Sequence, residues 1–169
     1  MAIELRPLRH EDAAAQCAGE DESTVRWLTG GYGTLAGTRA HFDALAANAA
    51  AGRGKRGFGV WWRSRLAGYV DCNPDNRDGL TPDDPPLVNL AYCVHPWARG
   101  HGIAVAAVGL ICSYVTEHAI GDVAAIRVDP ANTASVRVAQ KCGFRRWRSY
   151  PAQDPAGNPT RYDIHLRDL

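Results

Sequence analysis

Ile3, Leu5 and Leu8 alternate with Glu4, Arg6 and Arg9 at the start of the chain, the period-two pattern of a strand with one buried face. Residues 10–51 carry a helical pattern that Gly30-Gly31-Tyr32-Gly33 interrupts. In its second half, Thr38 to Ala51, Phe42 and Leu45 sit at helical spacing among alanines. A polar turn, Gly52 to Gly57, leads to Phe58–Trp62 and Leu66–Asp71. These two runs are rich in aromatic and β-branched residues and predict a hairpin about Arg63-Ser64-Arg65. Residues 73–86 are turn formers and predict a long loop, after which Leu87–Val94 reads as a strand. Ile103, Ala107, Leu110 and Tyr114 then share one helical face, with Ile111 beside them, and Gly121 stops the helix. Ala124–Val128 predicts a strand, and Asn132 caps a helix that Gly143 closes. Phe144–Tyr150 and Tyr162–Leu166 predict a closing antiparallel pair with its turn at Pro155–Pro159. The order β, helices, β-β-β, helix, β, helix, β-β implies an α/β protein with a mixed sheet and helices on both faces.

The 169 residues suit one domain spanning 1–169, and 46% hydrophobic residues suffice for a core. The net charge of +1 argues against a nucleic-acid partner. No apolar run nears the ~20 residues needed to span a membrane, and the first residues lack a signal-peptide core. Cys17, Cys72, Cys93, Cys112 and Cys142 are odd in number and form no Cys-x-x-Cys pair, which suits reduced thiols in the cytoplasm. No His-x-x-x-His pair occurs, so no metal site is expected.

The segment with most chemistry is Val94-His95-Pro96-Trp97-Ala98-Arg99-Gly100-His101-Gly102-Ile103-Ala104. A glycine-rich turn between a strand and a helix leaves backbone N–H groups unpaired at the positive end of the helix, a ready anion site. Gly100 and Gly102 allow close backbone approach, and Arg99 adds a positive charge. The Walker sequence is absent, and Val105 stands where a dinucleotide fingerprint needs its third glycine. A plain helix-opening turn is the alternative reading. The order Arg-x-x-Gly-x-Ala resembles the acyl-CoA signature of the GNAT superfamily of N-acetyltransferases. Residues 126–144 resemble that family's second block, a strand, Asn132-x-x-Ser135, a helix, and Lys141-x-Gly143-Phe144. Leu5-Arg6-Pro7 looks like its opening strand, so the resemblance spans most of the chain. The Asn-x-x-Ser form is nearest the ribosomal-protein N-terminal acetyltransferase branch.

The resemblance implies the GNAT fold, a mixed and mostly antiparallel sheet whose strands Leu87–Val94 and Ala124–Val128 splay apart around acetyl-CoA. Arg99, Gly100, His101, Gly102, Ile103 and Ala104 would then hold the pyrophosphate, and Asn132 the pantetheine arm. A backbone N–H in the Cys93–Val94 region, freed by a strand bulge, would stabilise the oxyanion. Ala139 stands where many relatives carry the acidic tyrosine, seven residues after Asn132. Ser135 takes the acid role by analogy with the ribosomal-protein branch, or is only a first-turn residue bonded within the cap. Asn89 stands where relatives place a strand carboxylate. Asp71 and then Glu22 are the candidate general bases, unless the amine is deprotonated through water. Arg137 and Lys141 face either the adenosine phosphates or solvent.

The acceptor is less legible. Asp75, Asp78, Asp83 and Asp84, with Glu20-Asp21-Glu22, would attract a small cationic amine if they border the cleft. Trp97, next to the glycine turn, is the aromatic most expected to touch a ligand. Three readings follow: an acetyl-CoA-dependent N-acetyltransferase of a small cationic metabolite or antibiotic; a protein N-terminal acetyltransferase; or a non-catalytic acyl-CoA-binding module. A homodimer is compatible with all three.

Overall fold

A computed structural model of the chain describes residues 2–169. Seven strands, β1 (Ile3–Arg6), β2 (Arg56–Trp62), β3 (Arg65–Asn73), β4 (Val88–Val94), β5 (Val123–Val128), β6 (Arg145–Gln153) and β7 (Pro159–Asp168), form one sheet in the order β1-β2-β3-β4-β5-β7-β6. Every neighbouring pair is antiparallel except β4 and β5. Helices α1 (Ala13–Ala18) and α3 (Leu35–Ala50) cover one face, where Ala13, Phe42 and Leu45 pack on Leu66 and Tyr69. Helices α4 (Ile103–Glu117) and α5 (Thr133–Lys141) cover the other, where Ile103, Ile111 and Ala139 pack against Val70, Leu90 and Ile126. Full burial of such aliphatic side chains stabilises the fold by about 1.5–3 kcal/mol each.

The elements follow the expected pattern, with local differences. The β2–β3 hairpin turns through Arg63 and Ser64, both at positive φ although neither is glycine. That is the primed geometry that matches strand twist. Helix α3 starts at Leu35 rather than Thr38, because the Thr34 hydroxyl accepts the Gly37 N–H and caps it. Helix α4 ends at Glu117, before Gly121. Ala119 takes the left-handed turn instead, and the His118 ring bonds the Tyr114 carbonyl. Its buried face is Ile103, Ala107, Val108, Ile111, Cys112 and Val115, while Leu110 is 38% exposed. The face is rotated from the expected one because α4 packs on α5 as well as on the sheet.

The feature that positions the site is the end of the β4–β5 ladder. The two strands pair only at Val88–Ala124 and Asn89–Ala125. Beyond these pairs β4 bonds only to β3, and β5 only to β7. The splay expected of the central strands is therefore present. Its β4 edge is held by a close approach to β3, where a Cβ on Gly68 would collide with the Cys93 carbonyl. Gly68→Ala is therefore expected to destabilise the protein by about 1–3 kcal/mol in urea unfolding. An unchanged midpoint would show that β4 can yield without loss.

Candidate active site

A cleft of about 650 Å³ opens where β4 and β5 part. One wall is Leu90–Val94 of β4, and the opposite wall is Ile126–Val128 of β5. The N-terminus of α4 and the cleft-facing side of α5 also line it. So do residues of α2 (Glu22–Thr24), its π-helical continuation Val25–Thr29, and Tyr150, Pro155 and Tyr162 from the β6–β7 hairpin segment. A Cβ on Gly30 would collide with the Pro155 carbonyl, so the end of the α2 segment meets that hairpin over the cleft.

The turn before α4 has the features of an anion cradle. Gly100 and Gly102 lie at φ of 79° and 75°, and a Cβ on either would meet nothing within 4 Å. Gly102 occupies the N-cap with no side chain to close it. The first helical bond runs from the Ala106 N–H to the Gly102 carbonyl, so the N–H groups of Ile103, Ala104 and Val105 have no acceptor within the helix. Gly102, Ile103, Ala104 and Val105 all line the cleft. The positive end of a fifteen-residue helix thus faces open space.

Arg99 is not the free cation that the sequence suggests. Its Nη atoms donate to both Asp21 oxygens at 2.6 and 2.9 Å, and its Nε donates to the Val94 carbonyl at 2.9 Å. Asp21 also accepts the Thr24 N–H and hydroxyl and so caps α2. Arg99 therefore ties the glycine turn to α2 and to the end of β4. His101 is exposed; its Nδ1 bonds the Arg99 carbonyl and its ring lies 4.8 Å from Trp62. Trp97 stacks on Trp62 and lies outside the cleft, because Trp62 and Arg65 sandwich it. Trp27, on the π-helical turn, is the tryptophan that lines the cleft.

At the end of β4, the register with β3 runs without a shift from Asn73–Asn89 to Gly68–Val94. The expected bulge at Cys93–Val94 is absent. The splay frees the edge instead. The His95 N–H donates to the Ala67 carbonyl on β3. Alternation along an antiparallel ladder then turns the Val94 N–H away from β3, toward the gap. Cys93 packs against the cluster under α1 and α3, and burial pushes its thiol up to about 11. It is a neutral, small apolar side chain.

Helix α5 and its cap bring Asn132 and Ser135 to the cleft. The Asn132 side chain accepts the Ser135 N–H at 3.2 Å. Tyr92, which sequence reasoning missed, reaches across from β4. Its hydroxyl lies 2.8 Å from Ser135 Oγ and 3.2 Å from the Ser135 carbonyl. Strand alternation puts Tyr92 on the same face as Leu90 and Val94, which was a readable signal. Its partner on α5 was not readable.

The two expected bases are not brought to the cleft. Asp71 lies on β3 and is 2% exposed. The Tyr69 hydroxyl donates to it at 2.9 Å, Lys55 lies 3.6 Å away, and burial pushes its pKa up. Glu22 is exposed on the first residue of α2, while its neighbours Ser23 and Thr24 line the cleft. The carboxylates that line the cleft are Asp78 and Asp129. Asp129 accepts the Ala131 N–H and the Thr160 hydroxyl. The Asp78 carboxylate accepts no hydrogen bond among the described residues, although its carbonyl accepts Arg127 Nε at 2.8 Å. Asp84 is held by both Nη atoms of Arg148 and stands outside the cleft. The acidic loop therefore presents one free carboxylate to the cleft, beside the Arg127 guanidinium. Arg137 and Lys141 line the α5 side. No cluster able to hold a metal ion occurs among the described residues, and none of their helices is long and apolar enough to cross a membrane.

The Arg99 guanidinium holds the Asp21 carboxyl well below its ordinary value of 3.8. A depressed folded value means that the pair stabilises the protein above the unfolded pKa, and that this stability is lost as the pH falls through the folded one. Asp21→Asn keeps the helix cap but removes the charge. Wild type is expected to melt at a higher temperature than Asp21→Asn from neutral pH down to about pH 4, and the gap to narrow only below that. A gap that stays constant from neutral pH down to about pH 3 would show that Asp21 titrates at its ordinary value.

Residues 2–145 match the family model of the GNAT acetyltransferase domain. No curated protein matches the chain in sequence. Among solved structures, the chain is similar to RimJ of Mycobacterium smegmatis in complex with CoA-disulfide (20% identity, 99% of this chain and 82% of that one, TM-score 0.83). It is similar to the microcin self-immunity acetyltransferase MccE in complex with acetyl-CoA and AMP (12%, 99% and 92%, TM-score 0.81). It is also similar to the aminoglycoside acetyltransferase AAC(6')-Ib in complex with coenzyme A (16%, 99% and 95%, TM-score 0.77). At these identities the likeness shows the shared fold. With a family match over most of its length, the splayed strands and the open helix end, the chain belongs to the GNAT acetyltransferases and is an acetyl-CoA-dependent N-acetyltransferase rather than a non-catalytic acyl-CoA-binding module.

Proposed function

We propose that the cleft transfers an acetyl group from acetyl-CoA to the primary amine of a small molecule, by direct attack with both substrates bound. The observation that carries this reading is the roofed side of the cleft, where the α2 segment meets the β6–β7 hairpin at Gly30 and Pro155. A roof admits a compact amine or a chain end and excludes an amine in the middle of a polypeptide. Trp27, Leu28, Tyr150 and Tyr162 give that side apolar and aromatic walls, and Asp78 supplies a carboxylate for the amine's charge.

The cradle fits the pyrophosphate of acetyl-CoA. Gly100 and Gly102 leave room for it, and the free N–H groups of Ile103, Ala104 and Val105 would bond its oxygens. Arg99 and His101 hold the turn in shape through Asp21 and Trp62. Asn132 would hold the pantetheine arm. The Val94 N–H would stabilise the oxyanion that develops on the acyl carbon. Ser135 would supply a donor to the departing sulfur. The amine loses its proton through water, with Asp78 as the cleft carboxylate that can receive it. The Asn132–Ser135 pattern favours a second acceptor, the N-terminus of a protein, which a roofed cleft also admits.

Release of free CoA from acetyl-CoA should be faster with polyamines, aminoglycosides, nucleoside antibiotics or amino acids than with peptides bearing free N-termini. Faster turnover with the peptides would establish the second reading. Gly102→Glu places a carboxylate in the cradle, and calorimetry should show acetyl-CoA affinity falling more than about tenfold, while Gly102→Ala falls far less. Equal losses would trace the effect to backbone strain at positive φ. Ser135→Ala should lower kcat by about 10²-fold and change acetyl-CoA affinity by less than about threefold. Unchanged kcat would remove Ser135 from the reaction.

A further inference from the structure

We propose that Tyr92 is a positioning residue for the leaving thiolate: its phenol donates to Ser135 Oγ, which leaves the serine O–H as the donor aimed at the sulfur. The inference rests on the proposed role of Ser135 and extends it to a residue on a different strand.

A serine in the first turn of a helix tends to spend its single proton locally, on the cap or on a backbone carbonyl. Its hydroxyl then meets an incoming group as an acceptor, which is the wrong polarity for a developing thiolate. A neighbour that donates to Oγ reverses this, because the oxygen's acceptor need is met and its proton is directed elsewhere. Tyr92 is placed to be that neighbour. Its hydroxyl is 2.8 Å from Ser135 Oγ, and no other side-chain atom bonds that oxygen among the described residues. The phenol can also donate to the Ser135 carbonyl, at 3.2 Å, and the contact to Oγ is the shorter of the two. Burial pushes the phenol up to about 12, so Tyr92 carries its proton throughout the neutral range. The ring lies in the gap between β4 and α5 and lines the cleft.

The arrangement also accounts for Ala139. That buried position on α5 carries no hydroxyl, and the cleft-lining residues of α5 other than Ser135 (Ala134, Arg137, Val138 and Lys141) are apolar or cationic. A hydroxyl pair built from β4 and α5 stands where a single residue of α5 does not. The pair further bridges the two sides of the splay, so the donor is preset before substrate arrives.

The test uses free CoA and needs no acceptor. The ultraviolet absorbance of the bound thiolate is titrated, with the desulfo-CoA complex as blank, for wild type, Tyr92→Phe, Ser135→Ala and the double variant. The charges of Arg99, Arg127, Arg137, Lys141, Asp78 and Asp129 are common to all four proteins, so differences report the hydroxyls. Tyr92→Phe should raise the pKa of the bound thiol by about one unit, with CoA affinity at low pH and the melting temperature little changed. Ser135→Ala should raise it at least as much, and the double variant no further than Ser135→Ala alone. A Tyr92→Phe titration identical to wild type, with Ser135→Ala shifted, would overturn the role of Tyr92 while leaving that of Ser135. Additive shifts in the double variant would overturn it too, since Tyr92 would then act without the serine. An unshifted Ser135→Ala would overturn both.

Discussion

Two residue pairs hold β4 to β5, and the architecture of the site depends on the ladder stopping there. Backbone N–H and C=O groups along a strand edge must find partners. Past these pairs the edge of β4 facing β5 has none within the sheet; the Val94 carbonyl accepts Arg99 Nε, and the other groups are left to whatever enters the gap. A fully zipped sheet would be more stable and would have no cleft. The separation is maintained from both sides. Arg127 of β5 donates to Asn89 Oδ1 at 2.8 Å at the last paired position, and Tyr92 and Ser135 bridge β4 to α5 farther along. Antiparallel pairing of β4 with β3 and of β5 with β7 keeps each half rigid as the halves diverge.

The charged residues work mainly as ties between segments. Arg99 joins the glycine turn to α2, Arg127 joins β5 to the long loop through the Asn76 and Asp78 carbonyls, and Arg148 joins β6 to the same loop through Asp84. An arginine suits this because its planar fork makes two or three directed bonds at once. The consequence for chemistry is that few charges are free in the cleft. The turn before α4 offers backbone N–H groups, and elsewhere the cleft is lined by the rings of Trp27, Tyr150 and Tyr162 with the Asp78 carboxylate. Burial, meanwhile, keeps Cys93 and Tyr92 protonated, so the β4 wall of the cleft carries no charge from these two side chains.

Most of the fold was legible because each element carries its own period. The alternation that opens the chain, the Asn132 cap, and the glycine turn at Arg99–Ala104 each depend on neighbours in sequence; the last two appear where expected, and the first strand stops at Arg6, before Pro7, rather than running to Arg9. The errors have a common physical origin. Leu110 reads as buried by helical spacing, but the direction a helix faces depends on what packs against it, and α5 rotates the buried face of α4. Asp71 and Glu22 have the right chemistry for a base, but β3 and α2 turn one into a buried cluster and the other to solvent. Trp97 has the right position in sequence, but Trp62 takes its ring.

The residue pattern alone set the strand and helix order, the family, the use of acetyl-CoA and the glycine turn that opens α4. These rest on local patterns: residue spacing, glycines at positive φ, and a side-chain cap three residues from its target. The tertiary contacts decided that Arg99 clamps the glycine turn to α2, that Asp78 is a carboxylate left facing the cleft without a bonded partner, and that Tyr92 meets Ser135. Tyr92 and Ser135 are 43 residues apart in the chain, and Arg99 and Asp21 are 78 apart. No local period encodes such a meeting. It is set by the order of strands in the sheet and by the place where two of them part.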